Sequence, residues 1–277
     1  MSLLIFLLIS SSGVNSLLLP ASPAGVSTSF SISKDAEAVF YNPANLNGYE
    51  DYNLYCSYNR FYLSMQSVSL ALSKKIKSVD FGLAFINFDY GDIEWHPNYP
   101  SEDSLVYYTA NDFSMILSSK IAVSENGNVG ISIKYISESI YIYSDHALAF
   151  DIGFSYFKTP YGVTFGASNC GTKISLNNEE VNLPARLSMG GFYDLKKLSV
   201  STDVHYLVNN GIFEFGVGIR VPVYSMMVFD LAAQYRESFY PGFGVTLKTG
   251  GLAFRYAGSL YPKNLGMIST FGIGFEF

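Results

Sequence analysis

Residues 213–221 read FEFGVGIRV, and this stretch decides the fold because bulky apolar and small or polar positions alternate strictly along it. The bulky apolar set is Phe213, Phe215, Val217, Ile219 and Val221. The alternate set is Glu214, Gly216, Gly218 and Arg220. Successive side chains of a β-strand point to opposite faces, whereas a helix would place neither set on a common face. The stretch is therefore predicted to be a strand with one apolar face.

The same alternation recurs in residues 148–156, 198–206 and 227–236. It fits either a sheet that packs its apolar face on a core or a barrel that turns this face outward into lipid. Many of the predicted strands exceed the five or six residues usual in soluble sheets and match the roughly 9–11 of a tilted membrane strand. Charged residues make up only 14% of the chain, which is too few for an ordinary soluble surface. We therefore favour a lipid-facing barrel.

The predicted fold is all-β: a closed antiparallel transmembrane β-barrel of about 14 strands with a short N-terminal hatch or plug. The predicted strands are 52–60, 62–73, 79–91, 106–123, 129–142, 147–157, 162–169, 185–194, 198–207, 212–221, 226–236, 242–248, 252–259 and 267–277. Boundaries are uncertain by about two to four residues, so a count of 12 or 16 stays open.

The predicted connections alternate between short and long, as in outer-membrane barrels, whose periplasmic turns are short. The expected periplasmic turns are 74–78, 124–128, 159–161, 195–197, 222–225 and 249–251. The longest connections, 92–105 and 170–184, fall on the opposite side, as do 237–241 and 261–266. An even strand count with the N-terminus in the periplasm returns the C-terminus to the periplasm.

The first residues differ in kind from the rest of the chain. An apolar run at 3–9 is followed by small residues up to Ser16, a pattern typical of a signal peptide. No Lys or Arg precedes the run, and the first charged residue is Lys34, so a short buried strand stays open. The predicted organisation is a signal peptide at 1–16, a hatch segment at 17–50 and a transmembrane barrel at 51–277.

The chain ends in an alternating strand with an aromatic terminal residue. Phe271, Ile273, Phe275 and Phe277 share one face, and this ending resembles the signal that the outer-membrane barrel-assembly machinery recognises. The resemblance implies assembly into the bacterial outer membrane, with that machinery and the membrane lipid as partners. Edge pairing with pockets for alternate side chains would read such a strand. An ordinary sandwich strand that happens to end in Phe is the alternative.

Residues 34–46 read KDAEAVFYNPANL, and this segment resembles the long-chain fatty-acid transporter (FadL-like) superfamily, especially its PorV/PorQ-type outer-membrane proteins. Residues 166–171 followed by 183–187, and the approach at 264–266, are similar to the same branch. The resemblance implies a hatch that blocks the lumen, with Asn42, Pro43, Ala44 and Leu46 as its gate. A simple turn before the first strand is the alternative, because Asn-Pro is a turn former.

Charges on the predicted inward faces carry both signs. They are Asp151, Asp203, Glu214, Arg220, Asp230, Arg236, Lys248 and Arg255. Ion pairs across the lumen would narrow or close it, so no wide diffusion channel is expected. Structural pairing is the favoured interpretation, and selectivity for a permeant compound is the alternative.

The sequence gives little support for catalysis, metal binding or nucleic-acid binding. The three His residues lack metal-ligand spacing, and the net charge of −6 argues against nucleic acid. We predict no enzyme activity, cofactor or metal; a hydrolase using Ser201, Asp203 and His205 is the least favoured hypothesis, since no nucleophile elbow is present. Cys56 and Cys170 are interpreted as ordinary residues, with a single disulfide left open.

Two functional hypotheses remain. The first is passive transport of a small hydrophobic or amphipathic compound through the plugged barrel. The second, implied by the PorV/PorQ resemblance, is a carrier or anchor that holds secreted protein cargo.

Overall fold

The computed structural model of the chain describes residues 28–48, 52–62, 64–95, 106–177, 179–236, 238–260 and 266–276. Within these ranges it contains sixteen strands. They are β1 (Tyr52–Arg60), β2 (Gln66–Ile76), β3 (Val79–Trp95), β4 (Val106–Ala122), β5 (Gly127–Ile140), β6 (Tyr143–Lys158), β7 (Tyr161–Gly171), β8 (Lys173–Leu176), β9 (Glu179–Asn182), β10 (Arg186–Asp194), β11 (Ser199–Leu207), β12 (Ile212–Tyr224), β13 (Met227–Arg236), β14 (Ser238–Thr249), β15 (Leu252–Leu260) and β16 (Met267–Glu276).

Fourteen of these strands close into one antiparallel barrel, so the predicted architecture is confirmed. Each strand pairs with its neighbour in sequence, β7 pairs with β10, and β1 pairs with β16 to complete the circle. The remaining two strands, β8 and β9, form a separate hairpin in the connection between β7 and β10. Closure leaves no unpaired edge, which a sheet within lipid requires.

The alternating sequence places its apolar set outside and its polar set inside. Phe213 and Val217 on β12 are 54% and 55% exposed, while Glu214 between them is 4% exposed. Leu231 and Asp230 on β13 show the same contrast. This is the reverse of a soluble protein and the arrangement of a barrel surrounded by hydrocarbon. No helix in the described part of the chain is long and apolar enough to cross a bilayer.

Short connections gather at one end of the barrel, which we call the turn end; the opposite end is the loop end. The turn-end connections are 77–78, 123–126, 159–160, 195–198, 225–226 and 250–251. The predicted turn at 222–225 is wrong in part, because Pro222 still belongs to β12. Pro222 lies at a register irregularity close to the strand end, where a missing backbone donor is tolerated.

Three predictions at the loop end are also wrong. Residues 238–241 are not a connection but the start of β14, with Pro241 opposite Ala233. Strand β2 starts at Gln66, not at 62, because Phe61 and Met65 form a backbone hydrogen bond that closes a turn. Residues 92–95 belong to β3, so the predicted connection 92–105 is wrong in that part. The long connection predicted at 170–184 is confirmed, and it holds the hairpin β8–β9. Residues 96–105 and 261–265 lie outside the described ranges.

Residues 28–48, which we call the hatch, lie inside the barrel. The hatch consists of the short helix α1 (Ser29–Ile32) and two 3-10 helices, Asp35–Phe40 and Pro43–Asn45. These helices contact inward faces of β1 to β7, β10 and β11, so the hatch crosses the lumen from wall to wall. The predicted signal peptide at 1–16 and the ends of the predicted hatch segment lie outside the described residues.

Candidate functional site

The turn predicted at Asn42-Pro43 lies in the hatch and is buried inside the barrel. Asn42 has an extended backbone, and its Oδ1 accepts a hydrogen bond from the Ala44 amide at 3.0 Å. Pro43 starts the following 3-10 helix, where its missing N–H would have no partner. Asn42, Ala44 and Leu46 are fully buried. All four residues predicted as the gate therefore lie together inside the lumen; their role in gating stays a prediction.

Glycines on the inward face of the wall make room for this turn. A Cβ added to Gly130 on β5 would come within 3.0 Å of the Pro43 and Ala44 backbone. A Cβ on Gly153 of β6 would come equally close to the Asn42 side chain, and one on Gly82 of β3 would meet Val39. The wall and the hatch are in direct contact at these positions, so no larger side chain fits there without moving the hatch.

Polar contacts join the hatch to the wall at several points. The Ser155 hydroxyl donates to the Ala44 carbonyl at 2.9 Å, and the Ala36 amide donates to Asn53 Oδ1 at 3.0 Å. The Ser31 amide donates to Asp203 Oδ2 at 3.3 Å. Arg255 on β15 forms an ion pair with Glu37. These contacts are spread around the circumference, which holds the hatch as a separate, noncovalently docked segment.

Seven of the eight predicted lumen charges form ion pairs or accept hydrogen bonds. Asp230 pairs with Arg220 at 2.7 Å, Glu214 with both Arg186 and Arg236, and Asp151 with Lys134 at 2.7 Å. Asp203 and Arg255 bind the hatch. Glu37, Lys134 and Arg186 are partners that were not predicted from the sequence, although the two wall residues, Lys134 and Arg186, occupy inward positions of alternating strands. Narrowing of the lumen by these pairs stays a prediction.

Lys248, the eighth charge, is exposed at the turn end. It lines a cavity of about 240 Å³ between the hatch and strands β1, β14, β15 and β16. Lys34, Glu37 and Arg255 line the same cavity, so both signs of charge meet there. The hatch thus leaves a polar recess on its turn-end side.

An apolar cluster covers the opposite side of the hatch. It joins hatch residues to inward positions of the wall and to the hairpin β8–β9. Its buried members include Val39, Phe40, Leu46, Ile86, Phe88, Ile116, Ile136 and Ile174, and Phe61, Met65, Tyr90 and Leu176 pack against it. An apolar surface in an otherwise polar lumen offers contacts to a hydrophobic compound.

Comparison with known proteins gives a structural match but no sequence match. No family model and no curated protein matches the chain. The Ralstonia pickettii toluene transporter TbuX superimposes with a TM-score of 0.71 at 12% identity, covering 94% of this chain and 99% of that one. A Pseudomonas aeruginosa FadL homologue gives 0.67 at 11%, covering 93% and 98%. The CymD monoaromatic hydrocarbon channel gives 0.69 at 10%, covering 94% and 98%.

The fold is FadL-like. At 10–12% identity the similarity concerns the fold alone. It therefore confirms the FadL-like fold that the resemblance of residues 34–46 implies. The finer PorV/PorQ assignment gains no support from these structures and stays a prediction. Purification of a stoichiometric protein partner from outer membranes would test the carrier hypothesis.

The FadL-like lumen does not bring the hypothetical hydrolase residues into a catalytic arrangement. The Ser201 hydroxyl donates to Thr28 Oγ1 at 3.0 Å, whereas His205 Nδ1 lies 2.8 Å from the hydroxyl of Ser188. Asp203 accepts from the Ser31 amide instead of orienting His205. Each residue therefore has its own partner, and no group of three or more metal-ligating side chains occurs among the described residues.

The remaining sequence-predicted positions lie on the outer surface. Phe271, Ile273 and Phe275 share the outward face of β16, while Phe277 lies outside the described residues. The assembly signal stays a prediction. Cys56 on β1 and Cys170 on β7 are free and point outward. Cys56 and Cys170 therefore form no disulfide with each other, because the two strands lie on separate parts of the barrel wall.

Proposed function

We propose that this protein is an outer-membrane barrel through which a small hydrophobic or amphipathic compound passes by diffusion, with residues 42–46 of the hatch as the gate. The observation that carries the proposal is the position of the hatch. It fills the lumen between an apolar cluster on one side and a polar recess on the other. The named transporters of similar fold, for toluene and for monoaromatic hydrocarbons, support the same class of permeant.

The outward apolar surface supports the membrane location. Large apolar side chains are exposed on the outer face of the barrel strands, and lipid is the solvent that suits them. The short connections at the turn end indicate that this end faces the periplasm. The loop end, with the apolar cluster and the hairpin β8–β9, then receives the compound from outside.

The proposed mechanism is local release of the hatch. Scattered hydrogen bonds and an ion pair hold the hatch against the wall, and such contacts can open without unfolding the strands. Displacement of residues 42–46 would join the apolar cluster to the polar recess and so complete a path. Gating by a small docked segment requires neither a cofactor nor the making or breaking of covalent bonds. We propose neither for this chain.

Deletion of residues 34–46 tests the proposal. Full-length and deleted proteins are reconstituted in liposomes, and entry of a neutral monoaromatic compound such as toluene is followed. The deleted barrel is expected to admit it faster, because the lumen loses its obstruction, while far-ultraviolet circular dichroism shows that the strands remain. Equal uptake by both proteins, with the barrel intact, would count against the hatch as gate.

The substitution Gly258→Ala gives a matched control for altered wall packing. A Cβ at this position would meet the Phe243 ring at 2.7 Å and Met267 Sδ at 2.9 Å, and these nearest neighbours belong to the wall and not to the hatch. Uptake through this variant should equal that of the unchanged protein.

A further inference from the structure

Three acidic side chains stand side by side at the loop end of the lumen. Asp112 on β4 lies directly opposite Glu138 on β5, and Glu138 lies directly opposite Asp145 on β6. We call these three residues the acidic row. Phe88 on β3 is the register partner of Asp112 on the other side. Register partners on neighbouring strands share a face and have Cβ atoms about 4.5–5.5 Å apart. The four strands therefore present one aromatic ring and three carboxyl groups at a single level.

Asp112 and Glu138 of the acidic row lack the ion-pair partners that most other lumen carboxylates have, whereas Asp145 accepts a hydrogen bond from the Ser175 amide at 2.6 Å. Asp80, Asp151, Glu214 and Asp230 each form an ion pair with Lys or Arg at 2.7–3.2 Å. Among the described residues neither Asp112 nor Glu138 forms an ion pair, although Asp112 is fully buried and Glu138 is 5% exposed. Buried carboxylates placed opposite each other without a cation are unfavourable. Asp112 and Glu138 are thus short of positive charge.

One oxygen of Asp112 has no hydrogen-bond partner among the residues that the structure describes. Its Oδ2 accepts a hydrogen bond from the Tyr90 hydroxyl at 2.6 Å, which fixes the orientation of the carboxyl group. Its Oδ1 is buried and accepts no hydrogen bond. A buried polar atom without a partner is costly, and a ligand that donates a hydrogen bond would remove this cost.

Aromatic and aliphatic side chains border the acidic row. The rings of Phe88 and Tyr90 lie 4.7 Å apart between centroids, and Phe61 lies 5.1 Å from Phe88. Ile136 stands two residues before Glu138 on the same inward face. Aromatic faces attract ammonium groups as well as apolar surface. Anionic oxygens beside aromatic rings are the combination that a cation with an apolar body requires.

We propose that the acidic row binds the ammonium group of a small amphipathic amine, whose apolar part lies against Phe88 and Tyr90. The inference deepens the proposed function by naming a substrate class, and it depends on that function for the role of the lumen as a path. A bare metal ion fits less well, because no three metal-ligating groups converge among the described residues. An ammonium group can instead donate hydrogen bonds to separate carboxylates.

Binding measurements on the purified full chain in detergent test the site. Phenethylammonium chloride is titrated by calorimetry and compared with 3-phenylpropionate, an anion of similar size. The unchanged protein is expected to bind the ammonium compound roughly tenfold more tightly or better, since a desolvated carboxylate and aromatic faces both favour the cation. The double variant Asp112→Asn/Glu138→Gln should lose this preference.

Asp80→Asn provides the matched control. Asp80 is a buried lumen carboxylate near the turn end that pairs with Lys120, so the substitution removes a charge far from the row. This variant should keep the preference for phenethylammonium. Equal binding of both compounds by the unchanged protein, or a preference that survives in the double variant, would overturn the proposal. Displacement of phenethylammonium by calcium chloride at equal concentration would also overturn the proposal, because it would indicate a metal-ion site.

The two proposals fail separately. If the hatch deletion speeds toluene uptake as expected but the protein shows no preference for the cation, only the amine-site proposal is refuted. In the opposite case, the protein prefers the cation through Asp112 and Glu138, but deletion of the hatch does not change toluene uptake. This result would refute the gating proposal and support the amine site.

Discussion

The guanidinium of Arg255 on β15 donates a hydrogen bond to the carboxylate of Glu37, and this ion pair ties the hatch to a strand 218 residues later in the chain. The Arg255 guanidinium also lies 5.5 Å from the ring of Tyr55, which is itself buried on β1. The side chain of Glu37 is 7% exposed and that of Arg255 is 24% exposed. The pair therefore lies mostly out of water, where it can hold the 3-10 helix Asp35–Phe40 against the wall.

Arg255→Gln is expected to loosen the hatch. A hydrogen bond to a charged group contributes about 1.5–3 kcal/mol, so its loss should raise the population with an open hatch by roughly tenfold to a hundredfold. Single-channel conductance in planar bilayers measures the frequency of openings.

Arg220→Gln is the control for this experiment. It removes a similar ion pair, with Asp230, that joins β12 to β13 within the wall. More frequent openings in both variants alike would show that general weakening of the barrel, and not release of Glu37, explains the effect.

Gly130→Val should displace the hatch from the wall. Valine suits a strand, but its Cβ would lie within 3.0 Å of the Pro43 and Ala44 backbone. Overpacking of this kind costs about 1–3 kcal/mol, and a docked segment yields more easily than a hydrogen-bonded strand. We expect faster proteolytic cleavage within residues 34–47, measured by mass spectrometry, while β5 stays paired. Gly258→Ala, which crowds only wall side chains, should leave the cleavage rate unchanged, and protection of residues 34–47 in the Gly130 variant would contradict the docking described here.

Alternation of apolar and polar residues was sufficient to predict the barrel strands, because lipid on one side and a polar lumen on the other act on every residue of a strand. It failed at 173–182, where the hairpin β8–β9 is polar and has only a few apolar positions such as Ile174. Pro241 looked like part of a connection, although its strand is paired on both sides. Both errors occurred where local composition opposed the tertiary pairing.

The interior of the site was harder to predict than the wall. The gate residues Asn42 to Leu46 came from a family resemblance, since one turn motif does not say where a segment docks. The glycines at 82, 130 and 153 carried a signal that was missed: an inward glycine in a strand interior marks the close approach of another backbone. The partners Lys134 and Arg186 depend on how neighbouring strands align, which the sequence of a single strand does not contain.

Leu231→Arg should destabilise the barrel in lipid. Leu231 is in the middle of β13 and 59% exposed on the outer face, so a charge there would face hydrocarbon. Arginine near the bilayer midplane costs about 2–4 kcal/mol, compared with about 0–1 kcal/mol near the interface. Tyr224→Arg, beside the turn at 225–226, places the charge near the interface and should cost the smaller free energy. Urea unfolding in phospholipid vesicles measures both free energies, and equal losses would show that the outer face is not embedded to the proposed depth.

The two cysteines can establish which end of the barrel faces outward. Cys170 is exposed near the loop end of β7, whereas Cys56 lies in the middle of β1 on the lipid-facing side. A membrane-impermeant maleimide added to intact cells should therefore label Cys170, because the proposed orientation places the loop end outside, and should not reach Cys56 within the hydrocarbon. Cys170→Ser should abolish the labelling and Cys56→Ser should not change it. Since both thiols are free, prior reduction should not increase the signal. Labelling of Cys170 only after the outer membrane is disrupted would reverse the orientation, and the apolar cluster would then face the periplasm.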